Sequence, residues 1–356
     1  MAYLLLGFVP LSALLEFWFG AAPIWVFATS AVAVAVLAHW ISAATEDIAE
    51  QAGSTIGGLL NISFGSIAEL VLAIFVLIDG HVEVVRAQIT GSIIGTALLG
   101  LGLAIMVGGF SRPKQVFRRE RAGLLSSLLV LLLIALLLPA VFDLALKGRP
   151  GTHDIAWSNE ELSLGMSAVL LLLYGGNLVY TLVTHRDVFS GDEPRKSKAT
   201  PSKTSLLGPI AVLVIGTVAI AFEAELVSGA LEATASQLHL STLFLGVVVL
   251  ALVGTSADLF AAVVFAARDK MGLVMEICLG SAIQVALVIA PLLTVIGFFI
   301  GKPMNLAFTN PLDLFSFGAT ALVVHSVAAD GETTWFEGLL LVGIYVLLGL
   351  AFFFVG

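Results

Sequence analysis

The sequence is short of charge and of cysteine. Asp, Glu, Lys and Arg together make up 12% of its 356 residues, about half of the share in an average soluble domain. Its one cysteine, Cys278, excludes a disulfide framework. The formal net charge of -9 is spread along the chain without a run of basic residues. The composition therefore indicates neither a nucleic-acid partner nor an ordinary soluble enzyme.

Apolar residues take the place of the missing charge. They make up 59% of the chain, and the mean hydropathy is +1.07. Apolar stretches of roughly 20 residues recur, each long enough to cross about 30 Å of hydrocarbon as a helix. The pattern predicts an all-α polytopic membrane protein with about 11 transmembrane helices. The predicted spans are 3–20, 23–41, 56–79, 83–109, 122–143, 162–185, 206–226, 240–267, 272–300, 310–328 and 335–355.

The first span is interpreted as a retained helix. It contains Glu16 and is followed by small residues that resemble a signal-peptide cleavage site. However, no Lys or Arg precedes it, so the basic region that begins a signal peptide is missing.

Basic residues are distributed unevenly between the two sides of the membrane. Of the 16 Lys and Arg residues, twelve fall in the 110–121 loop, the central linker and the 268–271 turn. The predicted spans place these three segments on the same side. An excess of Lys and Arg marks the cytoplasmic side, so the linker 186–205 is predicted to be cytoplasmic.

A repeat with a constant offset connects the two halves. "GSIAEL" (65–70) matches "GTSADL" (254–259), and "GSIIG" (91–95) matches "GSAIQ" (280–284), both at an offset of 189. Two motifs at one offset predict an internal duplication of about five helices, and an odd number inverts the second copy. Inverted repeats characterise secondary transporters, whose sites lie at the repeat interface. The predicted organisation is an N-terminal transmembrane helix (1–22), a first five-helix repeat (23–185), a cytoplasmic linker (186–205) and a second five-helix repeat (206–356).

One acid lies in each copy of the first motif. Glu69 and Asp258 are surrounded by apolar residues, where a carboxylate costs about 2.5–3.5 kcal/mol even on the most lenient scale. Intramembrane acids of this kind are usually functional. The duplication predicts that the two face each other across a pseudo-two-fold axis.

Polar residues repeat at helical spacing around these acids. One stripe is Asn61, Gly65 and Glu69, the next is Gln88, Ser92 and Thr96, and the second half has Ser281 and Gln284. A single hydroxyl in such a helix more often bonds its own backbone, and Gly91 with Gly95 also fits a close-packing motif.

Carboxylates, amides and hydroxyls together suit a hard cation. Ca²⁺ takes six to eight oxygen ligands, and two carboxylates balance its charge. When the cation leaves, two like charges close together favour proton uptake. The residues therefore predict a cation/proton antiporter, with Ca²⁺ or a related divalent cation as substrate, protons as counter-ion and no organic cofactor.

Several segments resemble the calcium/cation–proton exchanger family, within the wider cation/Ca²⁺ exchanger superfamily. They include "GGLLNISFGSIAELVLAIFVL", "AQITGSIIG" and "DKMGLVMEICLGSAIQVALVIAPLLTVIG". The resemblance implies an N-terminal helix plus two inverted five-helix halves, and Ca²⁺ export driven by protons. It places the family's two acidic site residues on Glu69 and Asp258, and its paired glutamines on Gln88 and Gln284.

The chain departs from this family at several site positions. The family's asparagines are replaced by Ser66, Thr96 and Thr255, its second glutamate by Asp258, and a histidine by Leu259. "GTSADL" resembles the pattern of sodium/calcium exchangers, so Na⁺-coupled or monovalent cation exchange stays open as an alternative. The predicted pathway and gating residues are Asn61, Ser66, Gln88, Ser92, Thr96, Thr255, Ser281 and Gln284.

Three further expectations complete the interpretation. Glu276 is expected at the cytoplasmic entrance, or as a partner of Arg268 or Lys270. "GTSA" (254–257) distantly resembles a serine-protease motif, but no suitably spaced histidine supports an intramembrane protease. The expected setting is the plasma (inner) membrane of a prokaryote, with the lipid bilayer as partner and homo-oligomerisation left open.

Overall fold

The computed structural model describes residues 5–52, 65–110, 112–147, 155–180 and 206–355. Asn61 and the linker 186–205 lie outside the described residues. The described chain is almost entirely helical, with twelve helices that we number α1–α12. They are α1 (Phe8–Phe17), α2 (Pro23–Ala52), α3 (Ile67–Ile78), α4 (Val82–Gly109), α5 (Arg119–Lys147), α6 (Ile155–Val179), α7 (Leu207–Leu238), α8 (Thr242–Gly254), α9 (Ser256–Ala267), α10 (Met271–Phe299), α11 (Pro311–Asp330) and α12 (Trp335–Val355).

The chain is a helical membrane protein. Among the described residues, eight helices are long and apolar enough to cross a membrane, and the pair α8–α9 makes a ninth if it forms one bent span. Helices α1 and α3 are apolar but shorter. Eleven spans therefore stay a prediction. Helix α4 is the most enclosed of the long helices, because 83% of its apolar 18-residue stretch is buried. It therefore lies at the centre of the bundle.

The structure differs from the predicted spans in the second half. The predicted span 240–267 is two helices, α8 and α9, bent by 57° around Thr255. Hydropathy alone does not detect this break, because threonine does not interrupt the apolar pattern. Helix α7 continues twelve residues beyond the predicted end at 226 and stops at Leu238, where His239 adopts a left-handed conformation.

The 189-residue offset recurs in the backbone. Helices α3 and α9 have 12 residues each, and their first residues, Ile67 and Ser256, are 189 apart. The residues before them, Ser66 and Thr255, have similar non-helical dihedrals (φ -107°, ψ 23° and φ -96°, ψ 4°). Each intramembrane acid thus lies three residues after a residue with non-helical dihedrals.

The following helices also correspond. Helices α4 and α10 begin at Val82 and Met271, again 189 residues apart. Each is interrupted by a π-helical segment, at Gly95–Gly100 in α4 and Val285–Ile289 in α10. Such segments within α-helices frequently occur at functional sites. Here the first contains Thr96, the last residue of the α4 stripe, and the second directly follows Gln284.

Contacts between loops define two ends of the bundle. Strands β1 (Gln115–Val116) and β2 (Glu332–Thr333) pair antiparallel, and Arg112 lies 3.6 Å from Asp269. The loops at 110–118, 268–270 and 331–334 therefore share one end, called here the basic end. Two of them belong to the set predicted from the Lys and Arg distribution to share one side.

The opposite end is defined by a second group of contacts. His81 lies 3.6 Å from Glu232, Ser228 donates to Asp79, and Arg86 donates to the carbonyl of Ala307 at 3.4 Å. The starts of α4 and α11 and the end of α7 therefore lie at this end.

Glycines allow α4 and α8 to meet closely. A Cβ atom on Gly91 would lie 1.9 Å from the Val247 carbonyl oxygen, and one on Gly246 would lie 2.8 Å from the Val84 carbonyl oxygen. The close-packing role predicted for this stretch thus falls on Gly91. Gly95 meets only Leu252, at 4.0 Å.

Gly91→Ala is expected to destabilise the protein, because the methyl group would overlap backbone that cannot rotate away. Overpacking of this kind costs about 1–3 kcal/mol or more, so thermal unfolding in detergent should occur at a clearly lower temperature. Gly123→Ala is the matched control, since its added Cβ meets no atom of the described residues within 4 Å beyond its own stretch of helix. Equal unfolding temperatures for both variants would contradict this account of the α4–α8 contact.

Candidate functional site

The two predicted acids occupy equivalent places at helix starts. Glu69 lies in the first turn of α3 and Asp258 in the first turn of α9. The first turn of a helix presents unpaired N–H groups and the positive end of the helix dipole, which favour negative charge. Glu69 is 1% exposed, whereas Asp258 is half-buried. The two acidic side chains thus differ in solvent exposure although they occupy equivalent positions.

The structure brings these two motifs together. A Cβ atom on Gly254 would lie 3.2 Å from both Cβ and Cγ of Glu69, so the glycine one turn before Asp258 packs directly on the Glu69 side chain. The charges of Glu69 and Asp258 are close enough to interact electrostatically.

A serine accompanies each acid. Ser281 Oγ donates a 2.7 Å hydrogen bond to Asp258 Oδ2. Ser92, its equivalent at the 189-residue offset, lies near the Glu69 carboxyl. Gln88 Nε2 also approaches the Glu69 backbone carbonyl, at 3.4 Å. The stripe predicted on α4 therefore faces Glu69.

Two oxygens at this site have no hydrogen-bond partner among the described residues. They are Oε1 of the Glu69 carboxyl and Oε1 of the Gln88 amide, and the Ser92 hydroxyl lies beside the Glu69 carboxyl. All three side chains are buried. A buried polar group without a partner costs about 1–3 kcal/mol, so the unpaired oxygens of Glu69 and Gln88 indicate a site that is completed by a ligand.

The other predicted hydroxyls behave differently. Thr96 donates to the Ser92 carbonyl and Thr255 to the Ala251 carbonyl, both at 2.8 Å and both within their own helical stretch. Both hydroxyl protons are therefore already engaged in hydrogen bonds to backbone carbonyls. Ser256, the residue of the protease-like motif, likewise donates to the Val253 carbonyl at 2.8 Å.

The donor set fits a hard cation that is carried as a substrate. Within the described part of the chain, no group of three or more His, Cys, Asp or Glu side chains could hold a metal. Two carboxylates with neutral oxygens are instead available. Carboxylate, amide and hydroxyl oxygens are the ligands that Ca²⁺ accepts in flexible geometry.

A cavity of about 580 Å³ reaches Asp258 from the basic end. Its lining includes the exposed Glu46 and, deeper, Ser66, Ser281 and Gln284. Glu69 is not among the described residues that line the cavity, so it lies behind the cavity wall. Among the described residues that line it, Asp258 is the acid of the pair that the cavity connects with the basic end.

Glu276 lines this cavity and forms an ion pair with Arg121 of α5. Its role at the entrance stays a prediction. The partner is Arg121 and not one of the nearby residues Arg268 and Lys270 named from the sequence, because α5 packs beside α10 in the fold.

The sequence interpretation missed one wall of the cavity. This wall is formed by Tyr174 and Asn177 of α6 and by Tyr180, which directly follows α6. Their spacing of i, i+3 and i+6 in an otherwise apolar segment was the signal that could have identified this face.

Comparisons with known proteins match almost the whole chain. The family described as "Sodium/calcium exchanger protein" matches residues 22–183 and 208–354. The Ca(2+)/H(+) antiporter of Aphanothece halophytica is 37% identical, over 98% of this chain and 95% of its own length. The Ca(2+)/H(+) antiporter ChaA of Bacillus subtilis is 33% identical, over 92% of this chain and 91% of its own length.

A solved structure is also similar. The structure of native YfkE superposes with a TM-score of 0.84 at 30% identity, and the match covers 99% of this chain and 100% of that one. The resemblance predicted from the sequence motifs is confirmed.

Proposed function

The chain belongs to the sodium/calcium exchanger protein family, and from this membership we propose that it is a Ca²⁺/H⁺ antiporter. Relatives at 33% and 37% identity are named Ca(2+)/H(+) antiporters over nearly their full lengths. The structural observation that carries the proposal is the buried Glu69 carboxyl, which has an unpaired oxygen and interacts with Asp258.

The two acids supply the exchange chemistry. With Ca²⁺ bound, Glu69 and Asp258 are both ionised and their charges balance the cation. Without Ca²⁺, two carboxylates close together in a poorly solvated place repel each other, and protonation relieves that repulsion. The site is electrically neutral in both states. Ca²⁺ and protons therefore compete for the same oxygens, which couples their opposite movements.

The neutral oxygens complete the coordination. Gln88 presents an unpaired oxygen and Ser92 its hydroxyl beside Glu69, and Ser281 contacts Asp258 directly. Ser66 and Gln284 line the approach from the basic end. Thr96 and Thr255 donate to the backbone, so they contribute only lone pairs. Asn61 lies outside the described residues and stays a predicted pathway residue.

The two halves work as inverted repeats under this proposal. The helix starts 189 residues apart, the non-helical residues Ser66 and Thr255, and the π segments of α4 and α10 support it. Alternating access follows, because the cavity serves Asp258 from the basic end while Glu69 is closed off. We assign this arrangement to a state facing the cytoplasm, the side on which the linker 186–205 is predicted to lie. Glu276 is the entrance residue, and the setting is the plasma membrane of a prokaryote.

Ca²⁺ uptake into reconstituted vesicles tests the function. An imposed pH gradient, acidic inside, is expected to drive ⁴⁵Ca²⁺ into vesicles that contain the protein and not into empty vesicles. A sodium gradient at equal pH on both sides should drive none. Uptake driven by sodium alone would instead support the Na⁺-coupled alternative, and uptake without any gradient coupling would identify a channel.

A further inference from the structure

An ion pair lies at the wall of the cavity that leads from the basic end to Asp258. Glu276 of α10 lines this cavity, and Arg121 Nε of α5 contacts its carboxyl. Glu276 precedes Ser281, the hydrogen-bond partner of Asp258, by five residues, which is about 7.5 Å along the helix. A cation that moves from the basic end to Asp258 therefore passes the Glu276 carboxylate.

The two members of this pair face different spaces. Arg121 is not among the described residues that line the cavity. It lines a small neighbouring crevice together with Phe117, Leu125 and Met275, and only 17% of its side chain is exposed. The carboxylate thus faces the path of the cation, and the guanidinium lies behind it between α5 and α10.

The described lining of the cavity is otherwise acidic. It includes Glu46 and Asp258 beside Glu276, and no Lys, Arg or His side chain is among the described residues that form it. Glu46 is exposed, so water and salt screen its charge. The Glu276 side chain is 25% exposed, and its charge would act on a cation at Asp258 with less screening. Arg121 cancels that charge at contact distance.

This cancellation matters because a transport site must release what it binds. At an effective dielectric constant of about 20, charges about 8 Å apart still interact appreciably, and a divalent cation doubles the effect. An uncompensated Glu276 would hold Ca²⁺ in the cavity, whereas an uncompensated Arg121 would repel it. Binding along a pathway must be strong enough for entry and weak enough for departure.

We propose that Arg121 is a positioning residue of the cation path. By pairing with Glu276, it keeps the wall between the basic end and Asp258 electrically neutral. Asp258 is then the first carboxylate below the exposed part of the cavity whose charge is available to a cation. Arg121 and Glu276 thus set the affinity for Ca²⁺ through their charges and not as ligands. This inference rests on the proposed Ca²⁺/H⁺ exchange and deepens it.

A double-mutant cycle at this pair gives the test. Glu276→Gln leaves the arginine charge uncompensated and should raise the KM for Ca²⁺ about three- to tenfold. Arg121→Gln leaves the glutamate charge uncompensated and should lower the KM by a similar factor. The double variant removes both charges and should return the KM close to the wild-type value. High ionic strength should reduce both single-variant shifts, because salt screens them. The measurement is initial ⁴⁵Ca²⁺ uptake driven by a pH gradient, at equal amounts of reconstituted protein.

Lys114 and Glu332 provide the matched control. They form an ion pair at the same end of the bundle, and neither is among the described residues that line the cavity. Lys114→Gln, Glu332→Gln and their double variant change the charge in the same way and should leave the KM at the wild-type value.

Three results would overturn the proposal. Loss of activity in both single variants with shifts of the same sign would show that the pair is only structural. A raised KM that persists in the double variant would identify Glu276 as a direct cation ligand. Single variants with the wild-type KM would remove the pair from the cation path. Failure of the wild type to take up Ca²⁺ along with a pH gradient would instead overturn the proposed function, and the same cycle measured as the Kd for ⁴⁵Ca²⁺ in detergent would still test the charge balance.

Discussion

Glu69→Gln is expected to abolish Ca²⁺/H⁺ exchange. The amide keeps the size of the side chain and one carbonyl oxygen, but it removes the charge that balances the cation and the group that takes up a proton. Loss of one charge from a buried pair costs about 2–5 kcal/mol, or roughly 30- to 4,000-fold in affinity. Uptake of ⁴⁵Ca²⁺ driven by a pH gradient should fall to the level of empty vesicles, and Ca²⁺ binding in detergent should weaken in parallel.

The control for this variant is Glu232→Gln. Glu232 is an exposed acid at the opposite end, with 74% of its side chain accessible, so its loss changes the net charge equally without touching the site. Exchange should proceed at the wild-type rate. The shared-site interpretation is wrong if Glu69→Gln, folded and reconstituted at the same density, still accumulates Ca²⁺ against a proton gradient.

The features that the sequence predicted best are local. An acid in an apolar stretch is visible without any tertiary information, and its repetition 189 residues later identified Asp258 as the counterpart of Glu69. The structure places both in first helical turns. The distribution of Lys and Arg similarly anticipated that the loops around Arg112 and Asp269 meet at one end.

The features that the sequence did not predict depend on tertiary contacts. The pairing of Glu276 with Arg121 joins residues of α5 and α10 that only packing brings together. The bend at Thr255 leaves hydropathy unchanged, so the average over a span conceals it. Whether a hydroxyl bonds its backbone or another side chain also depends on its neighbours. Thr90 and Thr96 look alike in the sequence, yet Thr96 is satisfied by its own helix, whereas Thr90 bonds to Asp313 of α11.

The asymmetry between the two acids has a functional consequence. Asp258 reaches the cavity and accepts a hydrogen bond from Ser281, whereas Glu69 is enclosed and keeps an unpaired oxygen. A cation arriving from the basic end therefore meets Asp258 first. The side chain of Asp258 is one methylene shorter than that of Glu69. Asp258 is therefore the residue at which ion preference is most readily changed.

Asp258→Asn is expected to abolish exchange for the same reason as Glu69→Gln, because half of the charge that balances the cation is lost. Asp258→Glu is the more informative change. The longer side chain keeps the charge but moves the carboxylate away from its 2.7 Å contact with Ser281 and toward the centre of the site. Ca²⁺ coordination depends on ligand number and reach, with Ca–O distances of about 2.3–2.6 Å. Exchange should therefore persist with an altered Ca²⁺ KM and an altered ratio of Ca²⁺ to Mn²⁺ transport.

Competition assays in vesicles, with ⁴⁵Ca²⁺ uptake measured against rising unlabelled Mn²⁺ or Ca²⁺, give both quantities. Asp330→Glu, a change of the same size at an exposed residue at the end of α11, should leave KM and selectivity at the wild-type values. Activity retained by Asp258→Asn would remove this residue from the cation site. Identical selectivity in Asp258→Glu and the wild type would show that the length of this side chain does not set the coordination, because a carboxylate displaced by one methylene cannot hold the same first shell without a change elsewhere.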